Sequence, residues 1–226
     1  MNGFASYVKE GERLDDLQLN GLYIIQNPSH FCFGGDSVGL ADFASVKAGE
    51  TVADLCTGSG VIPILLSAKT RARSFVGIEI ITEVAEMARR SVLMNGLSDR
   101  IEIINDDIKN APDMFKNDAF DVVTANPPYH RGGLRSPEIA KASAKHEISC
   151  QLPQLISVSA ALLKNGGRLY VSYPTGRLVD LLCEMRRNNL EPKTMRFAPR
   201  GENKPPSAVF VEAVKGGGPW LNIIMD

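Results

Sequence analysis

From residue 51 onward, short apolar runs of strand length alternate with longer segments of helical periodicity. The predicted strands cover residues 51–55, 74–80, 101–104, 120–125 and 168–173. The predicted helices cover residues 61–68, 82–95, 152–163 and 178–188. Repeated strand–helix units build a parallel sheet with helices on both faces. Residues 195–198 and 208–213 predict two more strands, with no helix-length gap between them. The fold class is therefore α/β, a mostly parallel seven-stranded sheet with a C-terminal antiparallel hairpin.

The composition excludes several classes of protein. The 226 residues carry 25 basic and 26 acidic side chains, so a histone-like positive coat is excluded, although a local basic face is not. Four cysteines stand far apart and three histidines are present, so we expect no zinc site and no other metal. No segment is long and apolar enough for export or for a membrane span. We therefore expect a cytoplasmic monomer that binds no membrane.

A glycine-rich turn lies between the first central strand and its helix, at residues 54–60 (Asp-Leu-Cys-Thr-Gly-Ser-Gly). Gly58 and Gly60 allow the backbone to approach a ligand closely, and the helix that follows offers free N–H groups. The alternative is a plain strand–helix connector. The third glycine of a dinucleotide fingerprint is absent, which disfavours a dehydrogenase.

Acidic residues follow the next two strands. Asp54 begins the glycine-rich motif, and Glu79 ends the second strand further along the chain. The carboxylate of Glu79 can accept hydrogen bonds from ribose hydroxyls. Asp107 follows the third strand and is placed to accept from an adenine amino group, with Asp106 as its competitor. Either aspartate could instead cap the segment that follows it.

The tetrapeptide Asn126-Pro127-Pro128-Tyr129 directly follows a strand that reads as buried on both faces. An exocyclic or amide nitrogen is a poor nucleophile because its lone pair is delocalised. The Asn126 side-chain oxygen and the Pro127 carbonyl can accept its hydrogens and favour a pyramidal nitrogen. Tyr129 offers a flat face for stacking a planar substrate. The alternative is a rigid proline loop with Tyr129 partly buried.

Two stretches, residues 130–148 and 186–204, carry more basic than acidic side chains. Positive charge beside a crevice would neutralise the phosphates of a nucleic acid. A solvated surface of mixed charge is the alternative. The residues predicted to contact the phosphates of a nucleic acid are Arg131, Arg135, Lys145, Arg196 and Arg200.

The spacing of residues 54–60, Glu79 and Asp107 resembles that of class I S-adenosylmethionine-dependent methyltransferases. Residues 126–129 resemble the signature of members that modify adenine amines, guanine amines or glutamine amides. With residues 33–38 (Phe-Gly-Gly-Asp-Ser-Val) and 145–148 (Lys-His-Glu-Ile), nearly the whole chain resembles the bacterial tRNA adenine-N6-methyltransferase family. Members of that family methylate adenosine 37 of a valine tRNA.

This resemblance implies a Rossmann-like class I methyltransferase fold with S-adenosylmethionine as the cofactor. Residues 1–48 would pack over the donor site, and residues 49–226 would form the methyltransferase domain. Asn126 and Pro127 would hold the target amine, and Tyr129 would stack the adenine. The residues expected to bind the donor are Asp36, Asp54, Gly58, Gly60, Glu79 and Asp107.

Some assignments stay open at this point. The resemblance places Asp36 and Ser37 near the methionine end of the donor, whereas a helix N-cap is the other interpretation. The first glycine of the family's motif falls at Cys56. His146 is either a hydrogen-bonded structural residue or a catalytic one. Two rival functions are an rRNA amine methyltransferase and an RNA-binding module that keeps the donor pocket without turnover.

Overall fold

The computed structural model describes residues 3–115, 117–128, 151–198 and 204–225. The strands within these residues are β1 Arg13–Asp16, β2 Tyr23–Gln26, β3 Thr51–Leu55, β4 Ser74–Glu79, β5 Ile101–Asn105, β6 Phe120–Ala125, β7 Leu163–Pro174, β8 Leu190–Phe197, β9 Ala208–Lys215 and β10 Asn222–Ile224. The α-helices are α1 Gly35–Phe43, α2 Val61–Lys69, α3 Thr82–Met94, α4 Ala111–Met114, α5 Leu152–Leu162 and α6 Leu178–Arg187. Short 3-10 turns cover Ala5–Tyr7, Ile108–Asn110 and Thr175–Arg177.

The main sheet has the strand order β5-β4-β3-β6-β7-β9-β8-β10. Strand β9 runs antiparallel to both of its neighbours, and the other pairs are parallel. The predicted mostly parallel α/β sheet and its antiparallel hairpin, β8 with β9, are therefore confirmed. The sheet has eight strands in the described residues rather than seven. The extra strand, Asn222–Ile224, is short and exposed on all three residues, so no buried apolar pattern marked it.

Neighbouring residues of the central strands enter different cores, because side chains alternate across a strand. Val52 and Val122 pack with helices α1, α2 and α3. Ala53 and Val123 pack with helices α5 and α6 on the other face. The sheet is thus covered on both faces, as its uninterrupted apolar strands predict.

Strand β7 begins earlier than its sequence suggests. The Asn-Gly-Gly at 165–167 reads as a helix stop, but α5 already ends at Leu162 and these residues lie within β7. The pairing with β6 shifts between Phe120 and Val122, so residues 164–167 stand opposite Asp121 alone. Gly166 has φ +76°, which places the glycines in a β-bulge.

The N-terminal segment is fastened to helix α3. The two-stranded sheet of β1 and β2 lies beside the main sheet. Arg90 of α3 donates to both carboxylate oxygens of Glu12, at 2.7 and 2.6 Å, and the Ile25 N–H donates to the Ser91 hydroxyl at 3.0 Å. Asn95 Oδ1 accepts from the Tyr23 N–H at 3.1 Å. Helix α1 packs within the main core through Leu40, so packing is continuous across residue 48, and the boundary predicted there stays a prediction.

Two features are absent from the described part of the chain. No helix there is both long enough and apolar enough to cross a membrane. No group of three or more His, Cys, Asp or Glu side chains stands close enough there to hold a metal ion.

Candidate active site

Three neighbouring strands end at one level of the sheet. Leu55 of β3 is in register with Ile78 of β4 and with Ala125 of β6. Strand order reverses here, because the chain runs outward from β3 to β5 and then returns to β6 on the other side of β3. Ligands of such sheets bind at the carboxyl ends of strands at this switch point. The residues that come next in the three strands are Cys56, Glu79 and Asn126.

A cleft of about 770 Å³, counting its open mouth, lies at this edge. Its walls include the turn at residues 56–59, Glu79, Asn126 and Pro128. The N-terminal segment supplies another wall, made of His30, Phe31, Phe33 and Ser37.

The glycine turn has a left-handed backbone at three positions. Gly58 has φ +58° and Gly60 has φ +84°, and Gly60 is the N-cap of α2. Cys56 has φ +59°, a region that disfavours side chains with a Cβ atom. Gly58 lines the cleft, whereas Gly60 is the helix cap and does not, and a close approach of a ligand to the Gly58 backbone stays a prediction.

Glu79 fixes the turn and faces the cleft. Its carboxylate is 2% exposed, and it accepts from the Gly58 N–H and from the Ile81 N–H, each at 2.9 Å. Glu79 thus holds the turn and lines the cleft, and a bond from a ligand hydroxyl to its carboxylate stays a prediction.

Asp54 lies beneath the turn rather than in the cleft wall. Its carboxyl is 1% exposed and accepts from the hydroxyls of Thr57, at 2.6 Å, and Thr124, at 2.7 Å. Burial raises the pKa of Asp54 to about 7, and the nearby charge of Glu79 adds to the rise. Asp54 therefore joins the turn to strand β6, and a direct contact with a donor stays a prediction.

The side-chain amide of Asn126 has a hydrogen-bond partner at its nitrogen but, within the described residues, none at its oxygen. Its Nδ2 donates to the Ser37 hydroxyl at 2.8 Å. Its Oδ1 is buried, and no group in the described residues donates to it. Pro127 is buried and Pro128 lines the cleft. Tyr129 lies outside the described residues. The Asn-Pro corner thus presents a fixed amide beside the cleft with an unused acceptor.

Two other predicted donor residues, Asp107 and Asp36, are not among the residues that line the cleft. Asp107 caps the turn Ile108–Asn110 and accepts from the Lys109 N–H at 3.0 Å, which agrees with the capping alternative. Asp106 accepts from the Asp107 N–H and from the Asn110 side chain, each at 2.7 Å. Asp36 lies in the first turn of α1, for which Gly34 is the N-cap. A donor contact of Asp36 or Asp107 stays a prediction.

Arg196, which was predicted to contact RNA, makes contacts within the fold, and its contact with RNA stays a prediction. Its guanidinium lies over the rings of Phe43, at 5.5 Å, and Phe210, at 5.6 Å. It also donates to the Gly39 carbonyl at 3.3 Å. These contacts hold the Arg196 guanidinium against aromatic rings and a backbone carbonyl of the same chain. Of the other predicted RNA contacts, Arg131, Arg135, Lys145 and Arg200 lie outside the described residues, as does His146.

Sequence reasoning missed the aromatic wall of the cleft. His30, Phe31 and Phe33 come from the loop after β2, and the Phe33 N–H donates to the buried Gln26 side chain at 2.8 Å. Phe31 is 62% exposed, which is unusual for an aromatic side chain. Phe33 begins the motif at residues 33–38, but no pattern in the sequence indicated that His30 and Phe31 line a cleft.

The comparison with protein families agrees with this arrangement. The family model described as "Methyltransferase small domain" matches residues 37–177, which is more than half of the chain. The chain belongs to this family. The match includes most of α1, the glycine turn and Asn126, so every strand end that forms the cleft lies within the methyltransferase small domain.

Two curated relatives of this methyltransferase domain carry the name tRNA1(Val) (adenine(37)-N6)-methyltransferase. The protein of Porphyromonas gingivalis is 32% identical over 154 residues, covering 66% of this chain and 60% of its own length. The protein of Parabacteroides distasonis is 25% identical over 180 residues, covering 79% of this chain and 75% of its own. A crystal structure titled as a predicted O-methyltransferase from Agrobacterium tumefaciens has a TM-score of 0.66 at 19% identity, with 84% of each chain covered. This likeness supports the Rossmann-like methyltransferase fold.

The strained backbone at Cys56 yields a stability prediction for the methyltransferase domain. Replacing Cys56 with glycine should stabilise the fold by about 0.5–1 kcal/mol, because the cost of a Cβ at positive φ exceeds the entropy cost of glycine. Cys183 is the matched control, because it is exposed on α6, where glycine weakens a helix by a few tenths of a kcal/mol. Urea unfolding of both variants should show a higher free energy of unfolding for Cys56→Gly and a lower one for Cys183→Gly. A loss of stability in Cys56→Gly would mean that the contacts of the Cys56 side chain with the core outweigh the strain, against the prediction.

Proposed function

We propose that this protein is an S-adenosylmethionine-dependent methyltransferase that methylates the N6 amine of adenine in tRNA, at adenosine 37 of a valine tRNA. The observation that carries this proposal is the buried Asn126 Oδ1, an acceptor without a donor in the described residues, on a residue that lines the cleft. A buried acceptor without a partner is costly, so it is retained where a ligand supplies the donor. The names of the curated relatives supply the tRNA and the position.

The residues of the cleft fit the methyl donor. Glu79 lines the cleft with a carboxylate, a group that accepts from ribose hydroxyls, and Gly58 would let the backbone come close to a ligand. The donor, when bound, supplies an electrophilic methyl group on a positively charged sulfur. Asp54 holds the turn in place from beneath, through Thr57.

The Asn-Pro corner would hold the amine. Asn126 Oδ1 and the Pro127 carbonyl would each accept one hydrogen of the N6 amine, which favours the pyramidal form with a free lone pair. These acceptors act by position and electrostatics, so no shifted general base is needed. The adenine must leave the stack of the anticodon loop to reach the corner, and Tyr129 would stack it there.

The basic side chains Arg131, Arg135, Lys145 and Arg200 are the proposed contacts for the phosphates of the tRNA. We leave out Arg196, because its guanidinium contacts Phe43, Phe210 and the Gly39 carbonyl. The protein would act in the cytoplasm as a monomer.

The direct test is nucleoside analysis of RNA treated with the protein and S-adenosylmethionine. We expect N6-methyladenosine in an unmodified valine tRNA transcript, and none in a matched transcript with guanosine at position 37. Methylation of rRNA instead would favour the first rival function. Binding of tRNA without any methylated nucleoside would favour the RNA-binding rival and would contradict the proposal.

A further inference from the structure

Ser37 and Asn126 join two distant parts of the chain at the cleft. Ser37 lies in the first turn of α1 and is 4% exposed, and Asn126 directly follows β6. The Asn126 Nδ2 donates to the Ser37 Oγ at 2.8 Å, and both residues line the cleft. The opposite end of the same amide, Oδ1, has no donor in the part of the chain that the structure describes.

We propose that Ser37 is a positioning residue for the methyl transfer: it accepts from Asn126 Nδ2 and so keeps Asn126 Oδ1 turned to the target amine. The inference rests on the proposed function, in which Oδ1 accepts from that amine. It differs from the role that the family resemblance implies for Ser37, which is a contact with the methionine end of the donor.

The physical reason lies in the asymmetry of an amide. One end accepts hydrogen bonds and the other donates them, and rotation about the last side-chain torsion exchanges the two ends. An amine substrate offers donors, so it needs the oxygen end. In that orientation the NH₂ group points away and requires an acceptor, which the Ser37 hydroxyl provides. Without it, a buried donor is left unpaired and the productive orientation is penalised.

Helix α1 cannot easily move Ser37 away from Asn126. Leu40 is fully buried in the core between this helix and the sheet. Gly39 packs so tightly on Phe210 that a Cβ atom there would lie 2.6 Å from the ring. Arg196 also donates to the Gly39 carbonyl. The acceptor for Asn126 is thus set by the packed helix before any substrate binds.

Kinetics of Ser37→Ala distinguish positioning from donor binding. At saturating donor, we expect kcat to fall about 10- to 100-fold, with KM for tRNA and Kd for S-adenosylhomocysteine within about threefold of the wild type. Ser37→Thr keeps the hydroxyl and should recover most of the lost rate. An unchanged kcat, or a loss confined to the donor Kd, would overturn the proposal.

Ser159→Ala is the matched control. Ser159 is also a buried helical serine, but its hydroxyl donates to the Leu155 carbonyl of its own helix at 2.7 Å. Its loss should lower stability while leaving kcat unchanged. An equal fall in kcat for the two variants would mean that Ser37 acts only through stability, against the proposal.

A substrate-independent measurement separates this inference from the proposed function. The side-chain NH₂ resonances of Asn126 are identified by their absence in Asn126→Asp. Their hydrogen exchange should be at least about tenfold faster in Ser37→Ala, because the bond that protects them is gone. Unchanged exchange overturns the role of Ser37, whatever RNA is methylated. Faster exchange in a protein whose wild type methylates no RNA supports the Ser37–Asn126 coupling and overturns the proposed function alone.

Discussion

Asn126→Ala is expected to lower kcat for tRNA methylation by about 100- to 1,000-fold, the size of loss seen when one preorganised polar group is removed from a reacting centre. Alanine removes the buried Oδ1 that we assign to the target amine. It leaves Glu79 and the glycine turn intact, and these residues hold the donor in our proposal. The Kd for S-adenosylhomocysteine, measured by calorimetry, should therefore stay within about threefold of the wild type.

Two further variants test whether the loss comes from the acceptor oxygen or from lower stability. Asn126→Asp keeps an acceptor oxygen and should retain more activity than alanine, with the Ser37 hydroxyl donating to the second oxygen. Asn95→Ala removes an asparagine that bonds Tyr23 and Ser91, so it should lower stability without lowering kcat. A fully active Asn126→Ala would contradict the amine-holding role.

The location of the site could be predicted from sequence because it depends on strand ends. Once β3, β4 and β6 are recognised as parallel neighbours, the residues after them must meet at one edge. Glu79 and Asn126 were placed in this way, and both line the cleft. Residue type then indicates the chemistry, since a carboxylate and an amide are hydrogen-bonding groups with fixed geometries.

The contacts between distant segments could not be predicted in this way. The bond from Asn126 to Ser37 depends on how α1 packs on the sheet, which no local pattern determines. The position of Arg196 is a similar case. Net charge along a stretch of sequence does not reveal that one cation lies over two aromatic rings. Charge counts predict a surface only for residues that the fold leaves exposed.

Asp54 was predicted as a contact for the methyl donor, but its buried carboxyl lies beneath the glycine turn, where its protonation affects stability.

We expect Asp54 to make the free energy of unfolding fall as pH rises from about 4 to about 7. The pKa of Asp54 is raised to about 7 in the fold, against about 3.9 in the unfolded chain. Between these values the folded protein keeps a proton that the unfolded chain has released. The free energy of unfolding falls by about 4 kcal/mol over this range, and the fall is complete above the pKa of Asp54 in the folded protein.

Asp54→Asn should remove this dependence. Asparagine has the same shape and can accept from one threonine hydroxyl while donating to the other, with no charge to bury. The difference in unfolding free energy between the variant and the wild type, from urea titrations, should rise by up to about 4 kcal/mol in favour of the variant between pH 4 and pH 8. The lowered pKa values of Glu12, Glu86 and Asp121 act at more acid pH and are common to both proteins, so they cancel. A flat difference would refute the raised pKa.

Substitutions of two neighbours of Asp54 should shift its pKa in opposite directions, which tests the cause of the pH dependence. The hydroxyl of Thr124 stabilises the charged carboxylate, so Thr124→Val should raise the pKa of Asp54 further and move the end of the stability loss to higher pH. The charge of Glu79 disfavours a second negative charge beneath the turn, so Glu79→Gln should move it to lower pH. Burial remains the largest cause in both variants, so neither should abolish the dependence. Shifts in the same direction would mean that the slope comes from a group other than Asp54.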